Sequence, residues 1–421
     1  MTLANSSYGE FSAGLHHRLA DQRTPMEVSL EVTRRCPLEC QHCYNNLPMG
    51  DLQARNRELS KEEYFGILDE LADMGVLWLL FTGGEIFARK DFLEIYTYAK
   101  RKGFLITLFT NGILINERIA DYLCEYPPFA IEITLYGRTR ETYEALTDMP
   151  GSYDRCMKGI QHLVDRNLPL KLKTVGTSIN KHEVAGMKQF AEEELGVEFK
   201  FDSLVNPRID CSRAPLGVRL SPEEVVTLDL HWPSIAAEHR KNLEQGLAEG
   251  PSKATTVYTC GGGVKAFAVD PYGHMSICVI SHQETYDIRK GSVREGWDQF
   301  LLKVRQRKRV QISKCTACQI KSACGMCPAN GELENGDAES PVEFLCEVAH
   351  LRAVTLGFEV PEHGDCEFCR NAERRAAIAE SARRISSQEI NPAAWSAPLP
   401  LLPVLNNSAA ASGCGGCGSF H

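Results

Sequence analysis

From about residue 26 to 205, short apolar runs alternate with stretches of helical spacing. Val28 to Val32 reads as a first strand, followed by a cysteine-bearing loop. Ser60 and Glu63 form a capping box, and Phe65, Leu68, Leu71 and Met74 follow at helical spacing. Val76 to Phe81 is a continuous apolar strand running into Thr82-Gly83-Gly84-Glu85. Asp91 to Lys102 reads as a helix, Phe104 to Phe109 as a strand closed by Thr110-Asn111-Gly112, and Glu117 to Glu125 as a helix capped by Asn116. Three more strands are predicted at Ala130 to Tyr136, Leu170 to Val175 and Glu198 to Ser203. Strands alternating with helices predict an α/β fold with a parallel sheet and right-handed crossovers. Six units are too few for a closed eight-fold barrel, so a partial barrel is expected. In such sheets functional groups gather at the carboxyl ends of the strands. The cysteine loop, the Gly83-Gly84-Glu85 turn and Asn111 should therefore meet.

The pattern changes beyond this region. Residues 206–255 read as connecting helices, including Pro222 to Leu230 and Ala236 to Leu247. Nine cysteines then fall between positions 260 and 369. A hairpin is expected there, Val264 to Val269 and His274 to Ile280 about a Pro271-Tyr272-Gly273 turn. Such a stretch has little core of its own and is expected to fold around metal. A basic, alanine-rich helix, Ala372 to Ile385, leads into Pro-, Ser- and Ala-rich sequence, and residues 388–421 are expected to be mostly disordered. The resulting division is an N-terminal extension (1–25), a barrel (26–230), a helical connection (231–255), a cysteine-rich domain (256–370) and a C-terminal helix with a tail (371–421).

Composition narrows the function. The net charge of −9 carries no basic footprint, which argues against nucleic acid as substrate. No apolar run is of membrane-spanning length, and the first 25 residues lack the basic start and apolar block of a secretory signal. A cytoplasmic location is expected. There, 17 cysteines point to metal ligation rather than disulfides, because thiols are kept reduced.

Cys36, Cys40 and Cys43 form a Cys-x3-Cys-x2-Cys triplet. A cube of four irons is normally held by four cysteines, so a triplet leaves one iron open to a small molecule. Taken alone, the same three thiolates also suit a zinc site.

The triplet, followed by Tyr44 and by Thr82-Gly83-Gly84-Glu85, resembles the radical S-adenosylmethionine (SAM) enzymes over roughly residues 26–205. The resemblance implies a partial (β/α)6 barrel of radical SAM type, with Cys36, Cys40 and Cys43 holding a [4Fe–4S] cluster. SAM would chelate the open iron and be cleaved to a 5′-deoxyadenosyl radical. It also implies SAM-binding roles for Gly83, Gly84 and Glu85. Glycines let a backbone approach a ligand closely, and a carboxylate can accept a bond from the ammonium of SAM. Glu132 is implied as a contact to the ribose, though the pleat alone leaves inward and solvated readings open. Asn111 is implied as a nucleoside contact, and ordinary turn chemistry is its other reading; Asn180 carries the same two readings. His42 reads as packing beside the cluster and Tyr44 as its shield.

A second resemblance is to the SPASM domain, a twin-cluster extension, so that the barrel would be followed by a small cysteine-rich iron–sulfur domain. The pattern is Cys260, Gly273-x4-Cys278, Cys315-x2-Cys318-x5-Cys324-x2-Cys327 and Cys346. It implies an outer cluster on Cys315, Cys318, Cys324 and Cys346 and an inner one on Cys260, Cys278 and Cys327. The spacing between Cys324 and Cys327 is one residue short of the family's. Structural zinc is the other reading of paired Cys-x2-Cys motifs. Cys366-x2-Cys369 is open between a missing inner ligand, a small zinc or redox pair, and an incidental pair. Cys414 and Cys417 in the terminal Cys-Gly-Gly-Cys are open between metal or redox work and a bland tail. Cys124, Cys156 and Cys211 read as ordinary thiols.

The resemblance implies an enzyme that oxidatively modifies a peptide or protein side chain. Its partners would be SAM, a peptide substrate, a reductant such as flavodoxin or ferredoxin, and a separate peptide-recognition protein, since the first 25 residues are too few for one. Formylglycine formation loses support, because Val279 stands after Cys278 where the relevant relatives place an Asp. A small-molecule dehydrogenase and a non-catalytic metal or electron-transfer module are the alternatives.

Overall fold

The computed structural model describes residues 7–390 and 392–395. Six strands form the predicted parallel sheet: β1 (Glu27–Glu31), β2 (Trp78–Thr82), β3 (Leu105–Thr110), β4 (Ala130–Thr134), β5 (Leu170–Val175) and β6 (Glu198–Asp202). They lie side by side in chain order, every neighbouring pair parallel. Chain order in a parallel sheet is what successive same-handed crossovers produce.

The intervening helices follow their predicted signals. Lys61–Asp73 starts at the Ser60–Glu63 capping box, and Asn116 caps Glu117–Glu125. The buried stripe of the first of these is Tyr64, Ile67, Leu68 and Leu71, so Tyr64 rather than Phe65 leads it. One face of the sheet is sealed: Leu79, Phe81, Ile106, Leu108, Ile131, Ile133 and Leu172 share a continuous core with helix residues such as Leu68, Ile95 and Tyr96. Thr107, Phe109 and Lys173, alternating with these, are only partly buried.

The hairpin is β7 (Ala266–Val269) and β8 (His274–Ser276), shorter than expected. It is also not separate from the barrel. β7 pairs in parallel with β1, Val28 opposite Phe267, and β8 and a short β9 (Tyr286–Asp287) extend the same sheet to nine strands. The cysteine-rich region therefore grows directly from the edge of the barrel. Its own core is small: Leu243, Ile320, Ala323, Ala349 and Ala353.

Two terminal features depart from expectation. The N-terminal segment forms a helix, Tyr8–Arg18, whose Tyr8 hydroxyl accepts a 2.8 Å bond from the Trp78 indole at the start of β2. At the other end, part of the stretch expected to be disordered is ordered: Pro392–Trp395 form a helical turn, and Trp395 packs against the core with Lys181 over its ring. Cys414 and Cys417 lie outside the described residues. Among the described residues the triplet cysteines and those from Cys260 to Cys369 form no disulfide, and no helix is long and apolar enough to cross a membrane.

Candidate active site and auxiliary cysteine sets

The carboxyl ends of β1, β2 and β3 converge as the topology requires. After β1 the chain enters the cysteine loop, where Cys36, Cys40 and Cys43 are mutual neighbours. Burial and the two neighbouring thiols push the Cys40 thiol up, and burial with the nearby Glu85 carboxylate pushes Cys36 up to about 12. Three thiols crowded into a dry place are poor thiolates without a cation, so the donor set fits a metal cluster that would supply the charge.

The glycine turn is shaped by this loop. The Gly84 amide donates to the Thr33 carbonyl at 2.7 Å and the Glu85 amide to the Arg35 carbonyl at 3.0 Å. A Cβ on Gly83 would stand 2.1 Å from the Thr33 carbonyl oxygen, and one on Gly84 2.5 Å from that of Arg34. Gly83 also has φ of +137°. Close approach is thus the reason for the glycines, and what they approach is the backbone leading into Cys36.

Glu85 is wholly buried. Its carboxylate accepts from the Thr110 hydroxyl at 2.8 and 2.9 Å, the Asn111 amide at 2.8 Å and the Phe87 amide at 3.1 Å. Burial raises its pKa to about 7 against these bonds. The carboxylate predicted to face the ammonium of SAM also ties together the ends of β2 and β3. The Asn111 side-chain amide lies 3.4 Å from Cys36 Sγ as a donor, and its oxygen accepts from the Ile113 amide. Asn180 is turn chemistry: it bonds Thr177, Tyr136 and Val175.

Glu132 stands apart. It is nearly buried in β4 and lies between Lys173 at 3.3 Å and Lys200 at 3.2 Å. The partner that a buried carboxylate needs is this lysine pair. Lys173 also sits over the Phe109 ring, and burial, opposed by Glu132, lowers its pKa to about 8.

Three supports of the cysteine loop carry no sequence signal. Arg208, 165 residues downstream of Cys43, donates to the Cys43 carbonyl at 3.2 Å and to Asn46 Oδ1 at 2.7 Å. Glu58 takes both ends of the Arg35 guanidinium at 2.9 Å. Glu31, buried in β1, accepts from Tyr44 at 3.0 Å and from Asn45 at 2.6 Å, so Tyr44 is held by its hydroxyl. His42 packs against Tyr136 with ring centroids 5.3 Å apart, and burial lowers its pKa to about 4.

The auxiliary cysteines fall into two groups. Cys278 neighbours Cys327 and Cys260. Cys324 neighbours Cys315 and Cys318, and these three line one cavity with Cys346. The short Cys324-x2-Cys327 spacing still sends its cysteines to different groups, with Cys327 capping the start of the helix Pro328–Asn335. Cys366 and Cys369 are not with the inner group; Cys366 is beside Cys346, and His363 beside Cys318. Cys156 is core, and Cys211 is exposed at φ +65°.

Residues 30–191 match the model of the radical SAM superfamily. These residues are a radical SAM domain, which supports an enzyme, and a cysteine-rich C-terminal region follows; the radical SAM family uses a [4Fe–4S] cluster and SAM. Among curated relatives, an AdoMet-dependent heme synthase of Methanosarcina barkeri is 25% identical over 346 residues, covering 76% of this chain and 95% of its own length. A PqqA peptide cyclase of Rhizobium meliloti is 34% identical over 167 residues, covering 40% of this chain and 44% of its own length. Among solved structures, Streptococcus suis SuiB bound to the precursor peptide SuiA shares the fold with a TM-score of 0.58 at 16% identity, covering 82% of both chains.

Two predictions follow from this geometry. Gly83→Ala should prevent the turn from seating on Thr33, costing about 3 kcal/mol from overlap and left-handed strain together. Iron uptake on anaerobic reconstitution should fall to background. Gly66→Ala, where a Cβ meets nothing within 4 Å, should be neutral or slightly stabilising. The second concerns Lys173. Its amine loses its proton through about pH 8, so its acetylation rate should rise through that pH. Glu132→Gln removes a negative charge that favours the ammonium, so the midpoint should move lower; peptide mapping after brief acetic anhydride labelling reads both. An upward move would contradict the pairing.

Proposed function

We propose that this enzyme oxidatively modifies a peptide or protein side chain, by dehydrogenation or crosslinking. The observation that carries the reading is a radical SAM triplet and two auxiliary cysteine groups arranged around one continuous sheet. The similarity to PqqA peptide cyclases and the fold shared with SuiB support a peptide as substrate.

Cys36, Cys40 and Cys43 would hold the [4Fe–4S] cluster, which with SAM supplies a 5′-deoxyadenosyl radical that takes a hydrogen atom from the substrate. Glu85 is a positioning residue. It ties Thr110 and Asn111 to the turn, so that Asn111 donates toward Cys36; donors to sulfur tune cluster potentials. The partly accessible Gly83–Gly84 turn, Glu85 and Asn111 would contact SAM. Cys260, Cys278 and Cys327, and Cys315, Cys318, Cys324 and Cys346, would hold auxiliary clusters. Two-electron oxidation of a C–H bond releases one hydrogen atom, one further electron and one proton, and the auxiliary clusters are the acceptors at hand for that electron.

A second reading, a tetrapyrrole substrate, is favoured by one observation: the heme synthase relative aligns along most of this chain, whereas the peptide cyclase aligns along less than half. Expected outcomes separate the two. Reconstituted anaerobically with SAM and a strong reductant, the chain should release 5′-deoxyadenosine, and the protein with Cys36, Cys40 and Cys43 changed to Ala should release none. Turnover coupled to a peptide encoded nearby, with a product lighter by two hydrogens, supports the first reading. Coupling to an iron porphyrin and to no peptide would replace it with the second. In Glu85→Ala, three buried donors lose their acceptor at about 1–3 kcal/mol each. A lower melting temperature should therefore accompany weaker SAM binding.

A further inference from the structure

The helix Glu343–Thr355 carries Cys346 and, one turn on, His350. Residues at that spacing share a helix face. Cys346 lines the outer cysteine cavity. His350 lines that cavity too, and its Nε2 lies 3.5 Å from Cys366 Sγ. After the helix the chain returns through His363-x2-Cys366-x2-Cys369. There, His363 Nδ1 is 3.7 Å from Cys369 Sγ. The ligand atoms of His350, His363, Cys366 and Cys369 all lie within 4.8 Å of one another, and all four residues are buried.

We propose that these four residues bind one zinc ion, at a site that adjoins the outer cysteine group, whose cavity His350 and His363 help to line, but shares no ligand with it. Two sulfurs and two imidazole nitrogens are a closed tetrahedral set of the structural zinc type. Zn–S of about 2.3 Å and Zn–N of about 2.0–2.1 Å at a tetrahedral angle put S and N about 3.6 Å apart. The 3.5 Å between Cys366 Sγ and His350 Nε2 is close to that value. A two-iron centre with two His and two Cys ligands places each pair on a different iron, which separates S from N well beyond these distances.

The imidazoles are prepared for it. His350 Nδ1 donates to the Cys346 carbonyl at 2.7 Å, which leaves the lone pair on Nε2, the nitrogen facing Cys366. His363 Nδ1 donates to the Pro361 carbonyl at 2.8 Å, and its Nε2 is buried with no hydrogen-bond partner among the described residues. An orphaned buried imidazole nitrogen beside two thiols is costly as protein alone and satisfied as metal ligand.

The position gives the ion a task. Asn371, two residues after Cys369, caps the helix Ala372–Ser386, which lies against Glu343–Thr355 and reaches Glu223 through Arg384 at 3.1 Å. The zinc would fix the C-terminal helix to the helix that carries Cys346, and so fix one wall of the outer cysteine cavity.

The test is elemental. Protein purified anaerobically from zinc-replete cells, before any reconstitution, should hold one zinc per chain beside its iron. Cys366→Ser/Cys369→Ser should lose the zinc and keep iron and sulfide after reconstitution. Cys315→Ala/Cys318→Ala should lose iron and keep zinc. His363→Cys, still offering four N/S donors, should keep both. Wild-type protein without zinc, zinc retained by Cys366→Ser/Cys369→Ser, or iron lost from that variant while its zinc stays, would each overturn the proposal. Where that variant loses both metals, cobalt substitution of the wild-type chain decides. One cobalt per chain with intense tetrahedral thiolate bands supports the site, and weak octahedral bands or no uptake refute it. None of these readouts depends on SAM cleavage, so failure here and failure of the peptide-oxidation reading are separate events.

Discussion

The site depends on one contact: the backbone of Gly83–Gly84 lying against that of Thr33–Arg35. The parallel ladder of β1 and β2 continues past the ends of both strands, with the Val32 amide on the Thr82 carbonyl and the Gly84 amide on the Thr33 carbonyl. Side chains at Gly83 and Gly84 would push the loops apart by more than an ångström. The position of Cys36 is therefore set by the same hydrogen-bonding that builds the sheet. Glu85 extends this to a third strand. Its buried carboxylate collects donors from Thr110 and Asn111, and Asn111 reaches back to Cys36. Three strand ends, two loops and one sulfur are joined without a solvent-exposed link.

A second consequence is electrostatic. The loop concentrates thiols, each harder to ionise because water is excluded, and Cys36 and Cys40 further because other thiols are near. Without a cation the arrangement opposes its own charge, and with one it is a high-affinity site. The same logic holds at the outer group, where burial, and then the neighbouring Cys315 and Cys318, push the Cys324 thiol up. Around Glu132 the protein answers a buried charge with its own cations instead. That carboxylate is already balanced, so a ligand hydroxyl would have to compete with two lysines.

The six parallel strands, the capping box at Ser60 and the convergence of the cysteine loop with Glu85 were legible because each rests on local pattern: apolar runs, cap residues, and strand ends that topology gathers. The split of Cys324 and Cys327 between two groups followed from the resemblance despite the short spacing. What was not legible depends on long-range pairing. Nothing local tells β7 to pair with β1, 239 positions apart in the register of Phe267 and Val28, or Arg208 to hold Cys43. Glu85 was assigned to a ligand because its sequence context shows a turn and a charge; only the fold shows the three protein donors already on it.

His350 and His363 illustrate a different failure. The run His363-x2-Cys366-x2-Cys369 has metal-ligand spacing, and the Cys pair was singled out while the histidines were not. Attention to iron–sulfur chemistry selects cysteines, whereas zinc takes imidazole as readily. The fold then supplies the fourth donor from a helix that also carries Cys346, of the iron–sulfur pattern. One turn of helix would thus couple two metal chemistries. If the zinc orders this helix, outer-cluster stability should track zinc occupancy even though no ligand is shared, because Cys346 and His350 cannot move independently.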